Sequence, residues 1–280
     1  MKKPAIPALW ILFLFFVVIF PCLCPAQAVA NKQAVLSQAR RSYYNLRNEG
    51  LSAFECRITP SWETLLKAQV KDEDQSPEAV EERQKNIQTK VDKLSQIHFN
   101  VTLASDNSVK LTHNELSGQS DEMMAALKRI YGGMEEMTSG FFDTWNRFLL
   151  GSPFPEVTSE YQLQVKGPQY LLTYRDGTSD IVNTMGRDFA INDLKVTTAE
   201  SDRSFQPKLT KTPKGYLLAG YEASYTTQNP GEATQLKVLI DYQTVDGFQM
   251  LNTLNLSGTS GGTPFAVELK FSGCQVTKKQ

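Results

Sequence analysis

Apolar and polar residues alternate through most of the second half of this 280-residue chain. Residues 237–245 read KVLIDYQTV, and residues 248–257 read FQMLNTLNLS. A period of two is that of a strand with one buried face, and β-branched and aromatic residues favour strands. The strands are separated by dipeptides such as Asp246-Gly247, which are typical of tight β-hairpin turns. Connections this short force neighbouring strands to run antiparallel.

Nine strands are predicted in this half, near residues 160–165, 170–175, 178–184, 188–197, 204–210, 216–227, 235–245, 249–256 and 264–276. An open twisted sheet seldom exceeds about ten strands without curling or closing. We therefore expect an α+β fold in which helices cover the concave face of a strongly curved antiparallel sheet or unclosed β-barrel.

The first half supplies those helices. Three- and four-residue apolar spacing predicts them over residues 31–48, 61–70, 76–96 and 120–150, with a strand at 52–60 and a hairpin of 98–104 with 108–114. If residues whose numbers sum to 211 pair in that hairpin, His98 faces His113. With Glu115 the two imidazoles would then suit a metal ion. The alternative, which we favour, is a solvated cross-strand pair and no metal site.

The most apolar part of the sequence after the first thirty residues is the helical segment 120–150, interrupted by Gly132, Gly133 and Gly140. Its apolar stripe either packs against the sheet as core or forms a lid over an apolar cavity, with the glycines allowing movement. We assign this face as the candidate ligand-binding surface. Its members are Met123, Leu127, Ile130, Met134, Met137, Phe141, Trp145 and Phe148.

The net charge and the motifs of the sequence reduce the number of functional classes to consider. Twenty-nine basic residues against 30 acidic ones give a net charge of −1, so there is no basic excess for nucleic acid. The sequence lacks a Gly-x-Ser-x-Gly elbow, a phosphate-binding loop and a His-Glu-x-x-His motif. We expect no enzyme activity and no cofactor.

The chain begins with a pattern typical of a secretory signal. Lys2 and Lys3 precede an apolar run of twelve residues at 9–20, whereas a bilayer requires about 20. Cleavage is expected after Ala28 or Ala30, placing a single domain of residues 29–280 in the periplasm or outside the cell. An uncleaved anchor, or lipidation of one of the two early cysteines, is the alternative.

Signal removal leaves Cys56 and Cys274, the right number for one disulfide in an oxidising compartment. Such a bridge would bring the first and last strands together. Two separate buried thiols are the alternative.

The order of elements resembles that of the periplasmic lipoprotein carrier (LolA-like) superfamily. Segments GYLLAGYEA at 215–223, VLIDYQTVDGFQML at 238–251 and VELKFSGCQV at 267–276 carry the resemblance, with the start at 34–58. The helical insertions, at about 61–96 and 120–150, are larger than the family's lid. The resemblance implies an unclosed barrel whose apolar hollow takes acyl chains beneath a helical lid.

The predicted function is therefore a periplasmic carrier or sensor that binds a lipid or a lipid-modified protein in an apolar cavity. Its partners would be that lipid or acylated protein and other envelope proteins, and any membrane contact would be transient. The alternative is a non-catalytic interaction or structural module of the cell envelope, with a filled core and no ligand.

Overall fold

The structure of the protein is a computed structural model that describes residues 25–68, 76–116, 120–227 and 233–279. Four helices and twelve strands lie in this part of the chain. The helices are α1 (Pro25–Arg41), α2 (Trp62–Ala68), α3 (Pro77–Leu94) and α4 (Asp121–Leu149). The strands are β1 (Leu51–Pro60), β2 (Phe99–Leu103), β3 (Val109–His113), β4 (Tyr161–Lys166), β5 (Gln169–Asp176), β6 (Ser179–Gly186), β7 (Ile191–Thr197), β8 (Ser201–Thr212), β9 (Gly215–Thr227), β10 (Thr234–Val245), β11 (Phe248–Ser260) and β12 (Thr263–Lys278).

All twelve strands form one antiparallel sheet in the order β3-β2-β1-β12-β11-β10-β9-β8-β7-β6-β5-β4. Strands β4 to β12 follow one another as a meander, which confirms the nine predicted strands. The sheet is unclosed because β3 and β4 form its two edges. The expected α+β fold, a curved antiparallel sheet with helices, is confirmed.

One face of the sheet, here called the inner face, packs against α4. Residues that pair directly across strands share a face, and a row on the inner face runs through Leu172, Asn183, Leu194, Phe205 and Ala223. The intervening residues point to the outer face, where charged side chains such as Lys208 and Glu222 form an ion pair at 2.7 Å. The alternation seen in the sequence therefore separates a core face from a solvated face.

Helix α1 ends earlier than predicted, at Arg41 rather than near residue 48. The next backbone segment pairs with β9 instead: the Tyr44 N–H donates to the Tyr216 carbonyl at 2.9 Å, and the Tyr216 N–H donates to the Ser42 carbonyl at 2.7 Å. A Cβ at Gly215 would lie 2.7 Å from that Ser42 carbonyl oxygen, so the approach requires glycine. Pairing with a distant strand has overridden local helix propensity.

Residues 1–24, and with them most of the predicted signal sequence, lie outside the described residues. Both predicted cleavage points fall near the start of α1, so cleavage would shorten this helix but keep its buried residues Leu36 and Ala39. Among the helices of the described segments, none is both long enough and apolar enough to cross a membrane.

The predicted disulfide is present. Cys56 of β1 and Cys274 of β12 are bridged, with their Cα atoms 4.1 Å apart. The bridge lies where the pairing of β1 with β12 shifts register, beside Gly273 at φ 59°. The alternative of two separate thiols is wrong, and the first and last strands are covalently joined.

The β2–β3 hairpin is present, but its predicted register is wrong by one residue. Phe99, not His98, pairs with His113. The cause is Asn107, whose left-handed φ of 70° gives a tight loop of three residues, 105–107, between the pair Ala104 and Ser108. The His113 ring stacks on Tyr131 of α4 with centroids 3.7 Å apart. The histidine pair is therefore not formed, and no group of three metal-ligating side chains occurs in the described segments.

A candidate ligand-binding cleft beside helix α4

Helix α4 is the element that organises the inner face. It begins after Ser120, whose Oγ accepts a hydrogen bond from the Met123 N–H at 3.3 Å, and it continues for 29 residues. Gly132, Gly133 and Gly140 lie inside one uninterrupted helix. A Cβ added at any of the three would meet no atom within 4 Å, so close packing does not explain these glycines.

The eight residues predicted as a ligand-binding face all lie on the side of α4 that meets the hydrophobic core. Five are buried, namely Leu127, Met134, Phe141, Trp145 and Phe148. The other three, Met123, Ile130 and Met137, are half-buried and pack against the same core. The stripe is thus in contact with protein atoms along its length. Its role in ligand binding stays a prediction.

Two residues of this stripe, Phe141 and Trp145, form with the neighbouring Phe142 a buried aromatic cluster, here called the packed flank. The Phe142 and Trp145 rings contact each other edge to face with centroids 5.6 Å apart. The Trp145 ring also contacts Phe54 of β1 edge to face at 5.9 Å. Each geometry is one that aromatic pairs prefer, and all four side chains are at least 98% buried. The packed flank fixes the C-terminal half of α4 to the β1 side of the sheet.

On its other side, the C-terminal half of α4 borders a cleft of about 480 Å³. The helix contributes Asp143, Thr144 and Arg147, here called the open flank, together with Phe148. The opposite wall belongs to the end of β5 and to strands β6 to β9. It consists of Asp176, Ser179, Ile181, Leu194, Val196, Arg203, Ser204, Phe205, Ala223 and Tyr225. We call this site the α4 cleft.

About half of the side chains that line the α4 cleft are apolar or aromatic, and the others are polar or charged. Phe148 of the helix meets Phe205 of the sheet with ring centroids 5.6 Å apart, and Phe205 contacts Tyr221 at 4.7 Å. Ile181 and Leu194 are 2% and 6% exposed, so they present only a small part of their surface to the cleft. The inner end of the site is therefore aromatic and aliphatic, as in most small-molecule pockets.

Four charged side chains stand around the apolar walls. Arg147 and Asp176 form an ion pair across the cleft with Nη2 and Oδ2 3.5 Å apart. Arg203 lies over the Tyr225 ring, with its guanidinium carbon 5.9 Å from the centroid, and its Nε donates to Ser201 Oγ at 3.3 Å. In the described chain no ion pair joins Asp143 or Arg203 to another residue. One charge of each sign is thus available to a ligand.

The tyrosines around the cleft are neutral at physiological pH. Burial raises the pKa of Tyr174 to about 12, an effect that nearby Arg147 partly opposes. Burial also raises the pKa of Tyr221 and of Tyr225, and a hydrogen bond with Thr144 partly offsets the effect at Tyr221. These hydroxyls can donate or accept hydrogen bonds, but they add no charge to the site.

A polar side chain lies among the apolar residues next to the cleft. Asn183 of β6 is fully buried between Leu172 and Leu194 in the inner-face row. Neither its Oδ1 nor its Nδ2 has a hydrogen-bond partner in the described part of the protein. A buried amide without a partner typically costs about 1–3 kcal/mol, so packing alone does not account for asparagine here.

The outer face of β8 to β11 carries a second depression, of about 490 Å³. Its side chains are mainly hydroxyl, amide and charged groups, including Gln206, Glu222, Gln235 and Lys237. Such a lining is the ordinary solvated face of an antiparallel sheet. The α4 cleft is the better candidate because it lies between a helix and the sheet and combines aromatic and aliphatic side chains with charged groups of both signs.

Sequence reasoning found α4 but not the cleft beside it. Asp143, Arg147 and Arg203 look like ordinary solvated charges along the chain, and only the pairing of β6 to β9 brings them to one site. The sequence did indicate Phe148 as part of the ligand-binding face, and it does line the cleft.

Comparisons with known proteins add no identity. No protein family model, no curated protein and no solved structure matches this chain. The resemblance to the periplasmic lipoprotein carrier superfamily stays a prediction.

Proposed function

We propose that this protein is a non-catalytic carrier or sensor that binds the acyl chain of a lipid or of a lipid-modified protein in the α4 cleft. The observation that carries the proposal is the cleft itself, about 480 Å³ with walls built from side chains such as Phe148, Leu194 and Phe205. Ligand pockets typically occupy roughly 300–1,000 Å³ and are mainly apolar.

The energetics favour an acyl chain as the ligand. Each methylene moved from water to an apolar site contributes about 0.8 kcal/mol. A chain of several carbons lying along Ile181, Val196 and Ala223 would therefore bind without any specific polar contact. In this arrangement the ligand lies beside α4, whereas the sequence led us to expect it beneath the helix.

An oxidising compartment is part of the proposal. The Cys56–Cys274 bridge is typical of periplasmic and secreted proteins. The proposed location agrees with the predicted signal sequence and with partners in the cell envelope.

The second candidate is an interaction or structural module of the cell envelope without a ligand. The packing of the α4 stripe favours it, because Trp145, Phe141 and Leu127 fill the space in which a lid would hold its cargo. The two candidates differ in one respect, namely whether the α4 cleft takes up an apolar molecule.

Ala223→Leu tests the proposal by adding a larger side chain within the cleft. The measurement is displacement of an environment-sensitive fluorescent fatty acid from the purified mature protein. We expect binding by the wild type and a loss of at least about tenfold in the variant, since overpacked sites exclude ligand atoms. The matched control is Ala266→Leu, which lies on the outer face opposite Ser257 and should bind like the wild type.

Two results would contradict the proposal. A wild-type protein that neither takes up the probe nor carries lipid after detergent-free purification supports the interaction module. Equal binding by the folded Ala223→Leu variant would place the ligand elsewhere. Circular dichroism and urea midpoints of the three proteins verify that the variants are folded.

A further inference from the structure

The charged groups of the α4 cleft restrict which amphiphile fits it. They comprise two basic residues, Arg147 and Arg203, and two acidic ones, Asp143 and Asp176. A ligand with a single negative charge would gain from the arginines but be repelled by the aspartates. An uncharged ligand would displace water from all four groups without replacing those contacts.

The two unpaired charges lie on opposite walls. Asp143 belongs to the open flank of α4, whereas Arg203 belongs to β8. Arg203 takes an inner-face position, paired across the sheet with Val196 on one side and Tyr225 on the other. A cation on the face that otherwise forms the core is unusual, because strands of this sheet direct most of their charges to the outer face.

The remaining two charges already satisfy each other. Arg147 and Asp176 pair at 3.5 Å with side chains 43% and 58% exposed. A ligand that replaced this pair would have to break it, whereas Arg203 and Asp143 are free to accept new partners.

We propose that the α4 cleft selects amphiphiles with a zwitterionic headgroup, in which a phosphate contacts Arg203 and an amine contacts Asp143. This inference rests on the proposed acyl-chain binding and adds the headgroup class. The acyl chain lies along Phe148, Leu194 and Phe205.

The test uses three amphiphiles with the same twelve-carbon chain, each below its micelle-forming concentration. Dodecylphosphocholine carries both charges, dodecyl phosphate carries only the anion, and dodecyltrimethylammonium carries only the cation. Isothermal titration with the mature wild-type protein should give the tightest binding for dodecylphosphocholine, by about three- to tenfold over each singly charged compound, as exposed charge contacts typically contribute.

Two variants test the phosphate contact and the amine contact separately. Arg203→Gln should weaken binding of dodecylphosphocholine and dodecyl phosphate by about three- to tenfold and leave dodecyltrimethylammonium unchanged. Asp143→Asn should weaken dodecylphosphocholine and dodecyltrimethylammonium and leave dodecyl phosphate unchanged or tighter. Arg57→Gln and Asp202→Asn are the matched controls, because both residues are exposed and neither lines the cleft.

The outcomes distinguish this inference from the proposed function. Equal binding of all three compounds, or a preference for either singly charged one, overturns the headgroup inference while the acyl-chain proposal stands. Absence of binding by all three overturns both. Loss of selectivity in the control variants as well would place the headgroup outside the cleft and also overturn the inference.

Discussion

The two flanks of helix α4 face the same sheet but differ in chemistry. On the packed flank, Phe142 and Trp145 contact Phe54 of β1, and Phe141 packs edge to face against Phe142. On the open flank, Asp143, Thr144 and Arg147 border a cleft of about 480 Å³. The two sets alternate within seven residues of sequence, so helical geometry alone directs them to opposite sides.

The packed flank therefore contributes mainly to stability, whereas the open flank is available for binding. An aromatic cluster at interior density resists change, since removing one ring leaves a cavity that neighbours fill only partly. Exposed charged residues beside a cleft contribute little to folding, and they are therefore free to serve recognition. One side of α4 thus packs against the sheet, and the other side presents charged and polar groups that can contact a ligand.

The largest difference in stability between the two flanks should appear when Trp145→Ala is compared with Thr144→Ala. Trp145 is fully buried, and its truncation should lower the free energy of unfolding by about 3–5 kcal/mol. Thr144 is half-buried and hydrogen-bonds to Tyr221, so its loss should cost about 1 kcal/mol. Urea denaturation followed by circular dichroism measures both. Equal destabilisation by the two substitutions would show that the flanks do not differ in this way.

The disulfide adds a smaller contribution on the packed side. The variant Cys56→Ala/Cys274→Ala should be about 2–4 kcal/mol less stable than the oxidised wild type, because the bridge closes a long loop of the unfolded chain. Binding at the α4 cleft, on the other side of the helix, should be unaffected at temperatures where the variant is folded. A reducing agent should lower the urea midpoint of the wild type and leave the variant's unchanged. A wild type insensitive to reduction would contradict this prediction.

The smallest effect on stability is expected from substitutions of the α4 glycines, which also test whether the helix bends. Gly132→Ala and Gly133→Ala should each stabilise the protein by about 0.5–1 kcal/mol, because a Cβ at either site has open space and alanine favours helix. If α4 bends to admit a ligand, stopped-flow release of the fluorescent fatty acid should also slow. Unchanged release rates would show that α4 is fixed as the packed flank suggests.

Gly258→Ala is the matched control for these substitutions. A Cβ there would clash with the Gln235 carbonyl oxygen, so this change should destabilise the protein. Stabilisation at position 258, or destabilisation at positions 132 and 133, would contradict the packing described for these glycines.

Much of the fold could be predicted because its signals are local. Strands β4 to β12 follow from a period of two and from turn residues, and the inner side of α4 follows from a period near 3.6. The hairpin register could not be predicted, since it depends on the left-handed backbone of Asn107. The end of α1 depends on pairing with Tyr216, a residue more than 170 positions away.

The candidate site was less predictable for the same physical reason. Phe141 and Trp145 of the packed flank belong to the predicted apolar stripe, whereas Phe142 does not, and whether space remains beside the flank depends on how Phe205 and Ala223 lie relative to Phe148. Arg203 and Asp143 become candidate binding residues only because the fold brings β8 and α4 together. Local patterns predict which side chains face the core, and long-range pairing decides where that core is incomplete.

The pairing of β1 with β12 also determines when the sheet can be completed. Leu51 near one end of the chain lies opposite Lys278 near the other, and strands β3, β2 and β1 reach the other eight strands only through β12. β12 is the last of the twelve described strands to be synthesised, so the first three strands can join the rest of the sheet only after β12 has been made. Strands β4 to β11 pair with their neighbours in sequence and can form earlier, so the joining of β1 to β12 is the step of folding that needs distant contacts, and such contacts form slowly.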